Sequence, residues 1–164
     1  MSAKGTEAWE RESQLSLRRL HHAVPPDKKS DAVTHILLAE DNKINQTLVV
    51  RTLEKQNYKV RVANNGIEAV RAVKEGSFEV ILMDVQMPEM DGFQALTAIR
   101  EWERSGQLSE TPIIAMTAHA MAGDRERCLK MGMSDYLSKP ITPAVLLAKV
   151  DEWVSQAHNP VQML

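Results

Sequence analysis

Short apolar runs alternate with helical patterns along most of the chain, and this alternation constrains the fold more than any other feature. Three runs are unbroken, at residues 36–39, 80–83 and 113–116. Such runs are typical of strands that are covered on both faces, as in a parallel sheet with helices on either side. Apolar and basic residues alternate instead at 58–62, which predicts an edge strand with one wetter face. A fifth short strand is predicted at 135–137.

Helical periodicity marks the segments between and after these strands. Five segments carry side chains at helical spacing. The residues that mark them are, in chain order, Ile44, Leu48, Val49 and Leu53; Ile67, Val70 and Val73; Phe93, Leu96 and Ile99; Met121, Arg125, Cys128 and Leu129; and Leu146, Val150 and Trp153. Asn65 is the predicted N-cap of the second helix, with Glu68 as its capping-box partner, and Gly76 is the predicted end. Five β-then-α units predict a doubly wound α/β domain, because parallel neighbours need crossover helices.

The two ends of the chain differ in character from this domain. Residues 1–33 are polar, carry mixed charges and end near a proline pair, which suits neither a helix interior nor a buried strand. We expect a polar linker there, disordered unless Leu17, Leu20 and Val24 form the apolar side of one short amphipathic helix. The folded domain is predicted at residues 34–157, followed by a tail at 158–164.

The composition excludes several classes of protein. The 164 residues carry a net charge of −2, which leaves no basic footprint for nucleic acid and no polybasic membrane anchor. The single cysteine, Cys128, excludes an internal disulfide framework and fits a reducing compartment. No apolar stretch approaches the ~18 residues of a membrane span, and the N-terminus has no signal-peptide core. We therefore expect a cytoplasmic protein that makes no membrane contact.

Charged and hydroxyl side chains stand where four of the five predicted strands end. They are Glu40 and Asp41 after the first strand, Asp84 after the third, Thr117 after the fourth and Lys139 after the fifth. The ligand crevice of an open α/β sheet lies outside the carboxyl ends of its strands. These side chains are therefore predicted to converge on one rim of the sheet.

Three carboxylates at one rim repel one another unless a cation lies between them. Oxygen ligands without imidazole or thiolate indicate Mg²⁺, or Mn²⁺ as a substitute, rather than zinc. Lys139 and Thr117 suit an anion, as a point charge and a hydroxyl donor around a transferred phosphoryl group. We predict phosphoryl transfer onto Asp84, because this residue ends the most apolar and hence most central strand.

Four segments, in the same order along the chain, resemble the receiver domain of response regulators. They are LAEDN at 38–42, VILMDVQMPEMDG at 80–92, AMTAHA at 115–120 and YLSKPI at 136–141. They are most similar to receivers attached to hybrid sensor histidine kinases. The resemblance covers residues 34–157 and implies a flavodoxin-like (βα)5 three-layer sandwich, with parallel strand order 2-1-3-4-5.

The resemblance also implies roles for individual residues. Asp84 would accept a phosphoryl group from a phosphohistidine. Mg²⁺ would be held by Asp41 directly, by Glu40 through water, by Asp84, and by the backbone carbonyl of Gln86. The Thr117 hydroxyl and the Lys139 ammonium would contact the phosphoryl group.

Further residues are implied to act in switching and in phosphoryl lifetime. Thr117 and Tyr136 would move together and alter the face made by the fourth helix, the fifth strand and the fifth helix. The bond between Lys139 and Pro140 is expected to be cis. Gln86 and His119 lie two residues beyond Asp84 and Thr117, and we expect them to tune the lifetime of the phosphoryl group. The switch and the cis bond come from the resemblance, whereas the lifetime role is a hypothesis from the positions of Gln86 and His119.

The implied function is that of a phosphorelay receiver, a signalling phosphoacceptor rather than an enzyme. It would catalyse its own phosphorylation and dephosphorylation, as a monomer or weak dimer. Its partners would be the phosphohistidine domain of a histidine kinase, a histidine phosphotransfer protein, or both. We expect it to be part of a hybrid histidine kinase, with a stand-alone single-domain response regulator as the alternative.

Two other functions compete with this interpretation. A phosphatase of the haloacid dehalogenase type also uses a strand-end aspartate with Mg²⁺, but it needs a second aspartate where Gln86 stands. A degenerate receiver would have lost Asp84, Lys139 or the acidic pair, and all are present. Taken singly, Thr117 is explained as a helix cap and Lys139 as a solvated surface charge. Only their coincidence at strand ends favours a site.

Overall fold

A computed structural model describes residues 32–118 and 122–158 of the chain. Residues Val33–Val154 form one compact unit. The strands are β1 (His35–Ala39), β2 (Lys59–Ala63), β3 (Val80–Asp84), β4 (Ile113–Thr117) and β5 (Asp135–Ser138). The helices are α1 (Lys43–Glu54), α2 (Gly66–Glu75), α3 (Gly92–Ser105), α4 (Ala122–Met131) and α5 (Pro143–His158).

The strands form one parallel sheet in the order β2-β1-β3-β4-β5. This confirms the predicted α/β class and the flavodoxin-like order. All residues of the central strand β3 are buried, whereas β2 at one edge alternates between exposed and half-buried residues until Ala63. The different sequence patterns of the two strands therefore reflect their positions in the sheet.

Successive residues of each strand point to opposite faces, so the sheet separates two apolar clusters. One face packs against α1 and α5, whose buried residues there are Val49, Leu53, Leu146, Val150 and Val154. The other face packs against α2, α3 and α4, whose buried residues there are Ala69, Ala72, Val73, Ala95, Leu96, Ile99 and Cys128. The result is a three-layer sandwich. Because both faces are covered by helices, ligands reach the sheet at its ends.

The predicted start and end of α2 are confirmed, with one difference. Asn65 is the N-cap, and its side chain accepts a hydrogen bond from the backbone N–H of Glu68 at 2.8 Å. The Glu68 carboxylate does not return this bond to the cap residue. It accepts instead from the backbone N–H of Asn64 at 2.6 Å, one residue earlier. Gly76 ends the helix.

The structure corrects the predicted inner face of α1. Ile44 is 80% exposed, although its spacing from Leu48 suggested a buried position. Ile44 and Leu53 are nine residues apart, about two and a half turns, so they lie on opposite sides of the helix. The inner face is formed by Gln46, Val49, Thr52 and Leu53, two of which are polar.

Within the described ranges, no helix has both the length and the apolar character needed to cross a bilayer. His119 and Met121 lie outside these ranges, as do residues 1–31, which include most of the predicted linker, and residues 159–164 of the predicted tail.

Candidate phosphoryl-acceptor and metal site

The ends of β1, β3 and β5 bring three charged side chains into contact. Asp84 is the last residue of β3 and Glu40 directly follows β1, and their exposed fractions are 3% and 1%. The Lys139 Nζ atom lies 3.1 Å from Asp84 Oδ2 and 2.9 Å from Glu40 Oε2. Because the strands are parallel, their carboxyl ends meet at one edge, as the sequence predicted.

Asp41 completes an acidic cluster at this edge. One carboxylate oxygen from each of Glu40, Asp41 and Asp84 lies within 4.8 Å of the other two. Asp41 is exposed whereas Glu40 and Asp84 are buried, so the cluster opens to solvent on the Asp41 side. A cation therefore has a route to the two buried carboxylates.

One oxygen in this cluster has unused acceptor capacity. Among the described residues, Glu40 Oε2 is the buried side-chain oxygen that makes no hydrogen bond, although it lies at ion-pair distance from Lys139. Lys139 is the partner that this buried oxygen has, and a carboxylate oxygen can accept more than one contact. Carboxylate oxygens are the ligands that Mg²⁺ prefers, so the residues present fit this ion. Glu40, Asp41 and Asp84 are the side chains that could hold it.

The surroundings shift the pKa of both charged partners in the centre of the site. Burial, and next the negative charge of Glu40, raise the pKa of Asp84 to about 6, against the opposing effect of Lys139. Burial lowers the pKa of the Lys139 ammonium, but Glu40 and Asp84 outweigh this and leave that pKa above its usual value. The lysine is thus held in its charged form beside an aspartate whose ionisation is costly.

The backbone around Asp84 is fixed on both sides. Its Oδ1 atom accepts a hydrogen bond from the backbone N–H of Gln86 at 3.1 Å, and the N–H of Val85 donates to the Met116 carbonyl of β4 at 3.0 Å. Gly92 packs against this turn so closely that a Cβ atom there would lie 2.4 Å from the Asp84 carbonyl oxygen. Gly92 belongs to the segment at 80–92, but its close contact with Asp84 is one that sequence spacing does not reveal.

Thr117 and Lys139 are held next to each other by the β4–β5 pair. Thr117 is the last residue of β4, is 4% exposed and lies opposite Ser138. Its carbonyl accepts a hydrogen bond from the backbone N–H of Lys139 at 2.8 Å. The Lys139–Pro140 peptide bond is cis, in agreement with the resemblance. Tyr136, two residues earlier on β5 than Ser138, is half-buried against the apolar cluster under α2, α3 and α4.

The cleft at this edge also includes residues that were not predicted to belong to the site. It is lined by Glu40, Asp41, Asn42, Lys43, Asn45, Asp84, Gln86, Ala118 and Lys139. Asn42, Lys43 and Asn45 come from the start of α1, and their polar character just after the acidic pair is the signal that could have identified them. Gln86 is exposed at the cleft.

Comparison with known proteins identifies the class to which this fold and site belong. The family model for the response regulator receiver domain matches residues 36–151. The chain therefore belongs to the response regulator receiver domain family, as the four motifs indicated.

The relatives it matches are much longer proteins. The chain is 43% identical over 129 residues to hybrid signal transduction histidine kinase B of Dictyostelium discoideum, which covers 74% of this chain and 7% of the relative. It is 39% identical over 145 residues to the sensor histidine kinase GacS of Pseudomonas protegens, covering 88% of this chain and 16% of the relative. The chain thus spans less than a fifth of the length of either relative.

Solved receiver structures are similar to this one. The receiver domain of sensor histidine kinase PA1611 from Pseudomonas aeruginosa, which has a magnesium ion in its active-site cleft, is 42% identical with a TM-score of 0.67. The match covers 75% of this chain and 98% of that one. The receiver domain of Saccharomyces cerevisiae Ssk1, solved with the histidine phosphotransfer protein Ypd1, is 34% identical with a TM-score of 0.70, covering 76% and 90%.

Proposed function

We propose that Asp84 accepts a phosphoryl group from a phosphohistidine in a Mg²⁺-dependent reaction. The observation that carries this proposal is the Lys139 Nζ atom 3.1 Å from Asp84 Oδ2, at the edge where Glu40 and Asp41 complete an acidic cluster. In the reaction the phosphorus–nitrogen bond of the donor breaks and a bond forms between phosphorus and an Asp84 carboxylate oxygen. The donor imidazole leaves as the neutral base once it has taken up a proton.

The chain's own residues have distinct tasks in this transfer. The Gln86 N–H and the Lys139 ammonium each hold one Asp84 oxygen, which orients the carboxylate before the donor arrives. Lys139 is placed to donate to the incoming phosphoryl oxygens, with the Thr117 hydroxyl as a second donor. Positioning and charge stabilisation of this kind are the main contributions that a protein makes to phosphoryl transfer.

The proposed metal ligands are Asp41, Asp84 and the backbone carbonyl of Gln86, with Glu40 acting through water and Mn²⁺ as a substitute for Mg²⁺. When bound, the ion supplies positive charge that offsets the carboxylates and the transferred group. Support for this ligand set comes from the oxygen-only donors and from the buried Glu40 oxygen that makes no hydrogen bond.

Phosphorylation is proposed to switch the surface formed by α4, β5 and α5 through Thr117 and Tyr136. Thr117 is at the end of β4, and Tyr136 lies on the adjacent strand β5, opposite Ala115. A displacement of Thr117 toward a phosphoryl group would therefore reach Tyr136 through neighbouring strands. The half-buried position of Tyr136 gives its ring room to change its packing.

The lifetime of the phosphoryl group is proposed to depend on Gln86 and His119. Gln86 lines the cleft, and His119 lies outside the described residues. Self-catalysed dephosphorylation requires water to approach Asp84, and side chains two residues beyond Asp84 and Thr117 would flank its path. If Gln86→Ala and His119→Ala both leave the rate of dephosphorylation unchanged, this part of the proposal is wrong.

We further propose that the domain, at residues 34–157, is part of a hybrid histidine kinase, with a stand-alone regulator as the alternative. Support comes from the similar hybrid and sensor histidine kinases. A phosphohistidine domain or a histidine phosphotransfer protein would then be the partner, as Ypd1 is for the Ssk1 receiver. A cytoplasmic location, which agrees with the free thiol of Cys128, belongs to the same proposal, as does a monomer or weak dimer.

Incubation with acetyl phosphate and Mg²⁺ tests the phosphoacceptor role without any partner protein. We expect stoichiometric labelling that is stable in acid, labile in base, absent without divalent metal and lost in Asp84→Asn. Labelling of Asp84→Asn at the wild-type level would overturn the assignment of the acceptor. Asp91→Asn is a matched control, because Asp91 caps α3 on the same connecting segment, and we expect it to be labelled normally.

A further inference from the structure

We propose that Asn45 and Gln46, on the first turns of α1, are positioning residues that hold Glu40 in the orientation needed for Mg²⁺. This inference rests on the proposed function, since it concerns the same metal site. It is carried by the hydrogen bonds that these two amides make to Glu40. Neither residue is among the proposed metal ligands or phosphoryl contacts.

Gln46 fixes the backbone at the point where β1 ends. Its side chain is 8% exposed, and its Nε2 atom donates to the Glu40 carbonyl at 2.5 Å and to Asn64 Oδ1 at 2.9 Å. Both amide hydrogens are therefore used, one toward β1 and one toward the segment after β2. This bridge holds the peptide that links Glu40 to Asp41, and with it the direction in which both carboxylates leave the backbone.

Asn45 acts on the Glu40 side chain. Its Nδ2 atom lies 3.4 Å from Glu40 Oε1, which also accepts from the backbone N–H of Asn42 at 3.2 Å. Two donors, one from the N-cap residue of α1 and one from its first turn, thus occupy Oε1. Oε2, which makes no hydrogen bond, is turned toward Lys139. One carboxylate oxygen is thus tied to the start of the helix, and the other faces Lys139 in the acidic cluster.

Neither amide is needed to cap α1. Asn42 already does so, since its Oδ1 atom accepts from the backbone N–H groups of Ile44 and Asn45 at 2.9 and 3.1 Å. Gln46 also occupies an inner-face position that Val49 and Leu53 fill with apolar side chains further along the helix. A buried amide at such a position contributes less to stability than leucine would, even when it is hydrogen-bonded. Its presence therefore indicates a role beyond stability. The purpose indicated by its partners is the geometry of Glu40.

The bridge extends to the start of α2. Asn64 Oδ1 accepts from Lys43 Nζ at 2.9 Å as well as from Gln46, and Asn64 Nδ2 donates to Glu68 at 3.0 Å. Loss of the Gln46 amide therefore still leaves Asn64 Oδ1 with a donor. The group that loses its side-chain donor is the Glu40 carbonyl, so a substitution at Gln46 acts mainly on the metal-binding segment.

The test compares Gln46→Met with Thr52→Val. Both residues lie on α1, are 8% exposed and donate to a backbone carbonyl, but Thr52 bonds to Leu48, in the half of the helix away from the cleft. Each substitution keeps the approximate size of the side chain and removes its donor. Both variants are expected to unfold at lower temperature, and this shared loss measures their structural role.

Only Gln46→Met is expected to weaken Mg²⁺ binding. Calorimetric titration with MgCl₂ should give a dissociation constant about tenfold above wild type, as is usual when a partner of a metal ligand is removed, and about threefold for Asn45→Ala. Thr52→Val should match wild type. The labelling rate of Gln46→Met with acetyl phosphate should recover at saturating Mg²⁺, because Asp84 and Lys139 are unchanged.

The outcomes separate this inference from the proposed function. If wild type binds Mg²⁺ and is labelled at Asp84, but Gln46→Met and Asn45→Ala both bind Mg²⁺ as wild type does, the positioning role is wrong and the function stands. If wild type neither binds Mg²⁺ nor is labelled, the proposed function fails. Should Gln46→Met not fold, the half-buried Asn45 supplies the deciding variant, and wild-type Mg²⁺ affinity in Asn45→Ala then overturns the inference.

Discussion

Two clusters of charge with buried members lie at opposite ends of the same sheet, and they are built differently. The rim cluster, at the carboxyl ends of the strands, consists of Glu40, Asp41, Asp84 and Lys139. The basal pair, Arg100 with Glu103, lies on α3 near the amino end of β4. The rim cluster has three carboxylates for one ammonium, whereas the basal pair has one charge of each sign.

Both carboxylate oxygens of Glu103 and both terminal nitrogens of Arg100 make hydrogen bonds. Glu103 is 1% exposed, its Oε1 atom accepts from Arg100 Nη1 at 2.8 Å, and its Oε2 atom accepts from the N–H of Thr111 at 2.7 Å. Arg100 also donates to the carbonyls of Thr111 and Gly132, at 2.8 and 3.4 Å. It therefore ties α3 to the segments before β4 and β5, a structural role.

The rim cluster has more negative than positive charge and an oxygen that can accept a further contact. Glu40 Oε2 makes no hydrogen bond, and the pKa of Asp84 is raised to about 6 by burial and by Glu40. Such an arrangement is unfavourable on its own and becomes favourable when a cation binds. The comparison teaches that a buried ion pair with equal charges of each sign has a structural role, whereas a buried excess of negative charge indicates a cation-binding site.

The largest expected effect separates the clusters by activity. Lys139→Met should lower the rate of labelling by acetyl phosphate by about 100-fold or more, because the transferred group loses its charged donor. Arg100→Met, assayed under conditions where it is folded, should label within about twofold of wild type, since the basal pair is at the other end of the sheet. Labelling of Lys139→Met at the wild-type rate would contradict the role of the rim cluster.

The next effect separates the clusters by stability. Glu103→Leu should lower the free energy of unfolding by about 3–5 kcal/mol, because it leaves the Arg100 guanidinium buried without its carboxylate. The double variant Arg100→Met/Glu103→Leu should recover part of this loss. Denaturant unfolding measures both. A double variant less stable than Glu103→Leu would contradict this: the loss of stability would then come from the missing ion pair and not from the unpaired Arg100 charge.

Asp84→Asn should change the free energy of unfolding in the opposite direction to Glu103→Leu. Without metal at pH 7.5 it should raise the free energy of unfolding by about 1–2 kcal/mol, because the pKa of Asp84 is higher in the folded than in the unfolded state. Because its folded pKa is raised, wild type loses stability as pH rises from about 4 through 6. The stability difference between the variant and wild type should therefore vanish as pH falls from 6 toward 4. Added Mg²⁺ should stabilise wild type more than the variant. A stability gap that grows below pH 6 would contradict this account.

The smallest effect concerns Asp135, an aspartate at the amino end of β5. Burial raises its pKa, but hydrogen bonds from Lys149, Trp153 and the N–H of Tyr136 outweigh this and leave the pKa below its usual value. A lowered pKa stabilises the fold above the unfolded value, about pH 4, and that contribution is lost as pH falls further. Asp135→Asn should therefore cost about 0.5–1 kcal/mol at pH 7 and less at pH 3, by denaturant unfolding. An equal cost at both values would show that its charge contributes nothing.

The sequence predicted the rim cluster better than the basal pair, for a physical reason. In a parallel sheet the residue after each buried strand is brought to the same edge, so Asp84 and Lys139 could be placed together from strand ends alone. Arg100 and Glu103 gave no such signal, because their further partners, Thr111 and Gly132, follow no fixed spacing.

Side-chain phase on the helices was less predictable than strand order. Apolar spacing placed Ile44 on the inner face of α1, whereas the structure buries Gln46 there and exposes Ile44. A buried amide is stabilised by particular partners, here the Glu40 carbonyl and Asn64, and hydrophobic periodicity contains no information about them.

The most direct test of the central claim is chemical mapping of the acceptor. An acyl phosphate on aspartate is reduced by borohydride to homoserine, so peptide sequencing after labelling with acetyl phosphate and Mg²⁺ identifies the modified position. The account predicts homoserine at position 84 alone, and none when Mg²⁺ is omitted. Homoserine at position 41 or 91, or at 84 without any divalent metal, would contradict it.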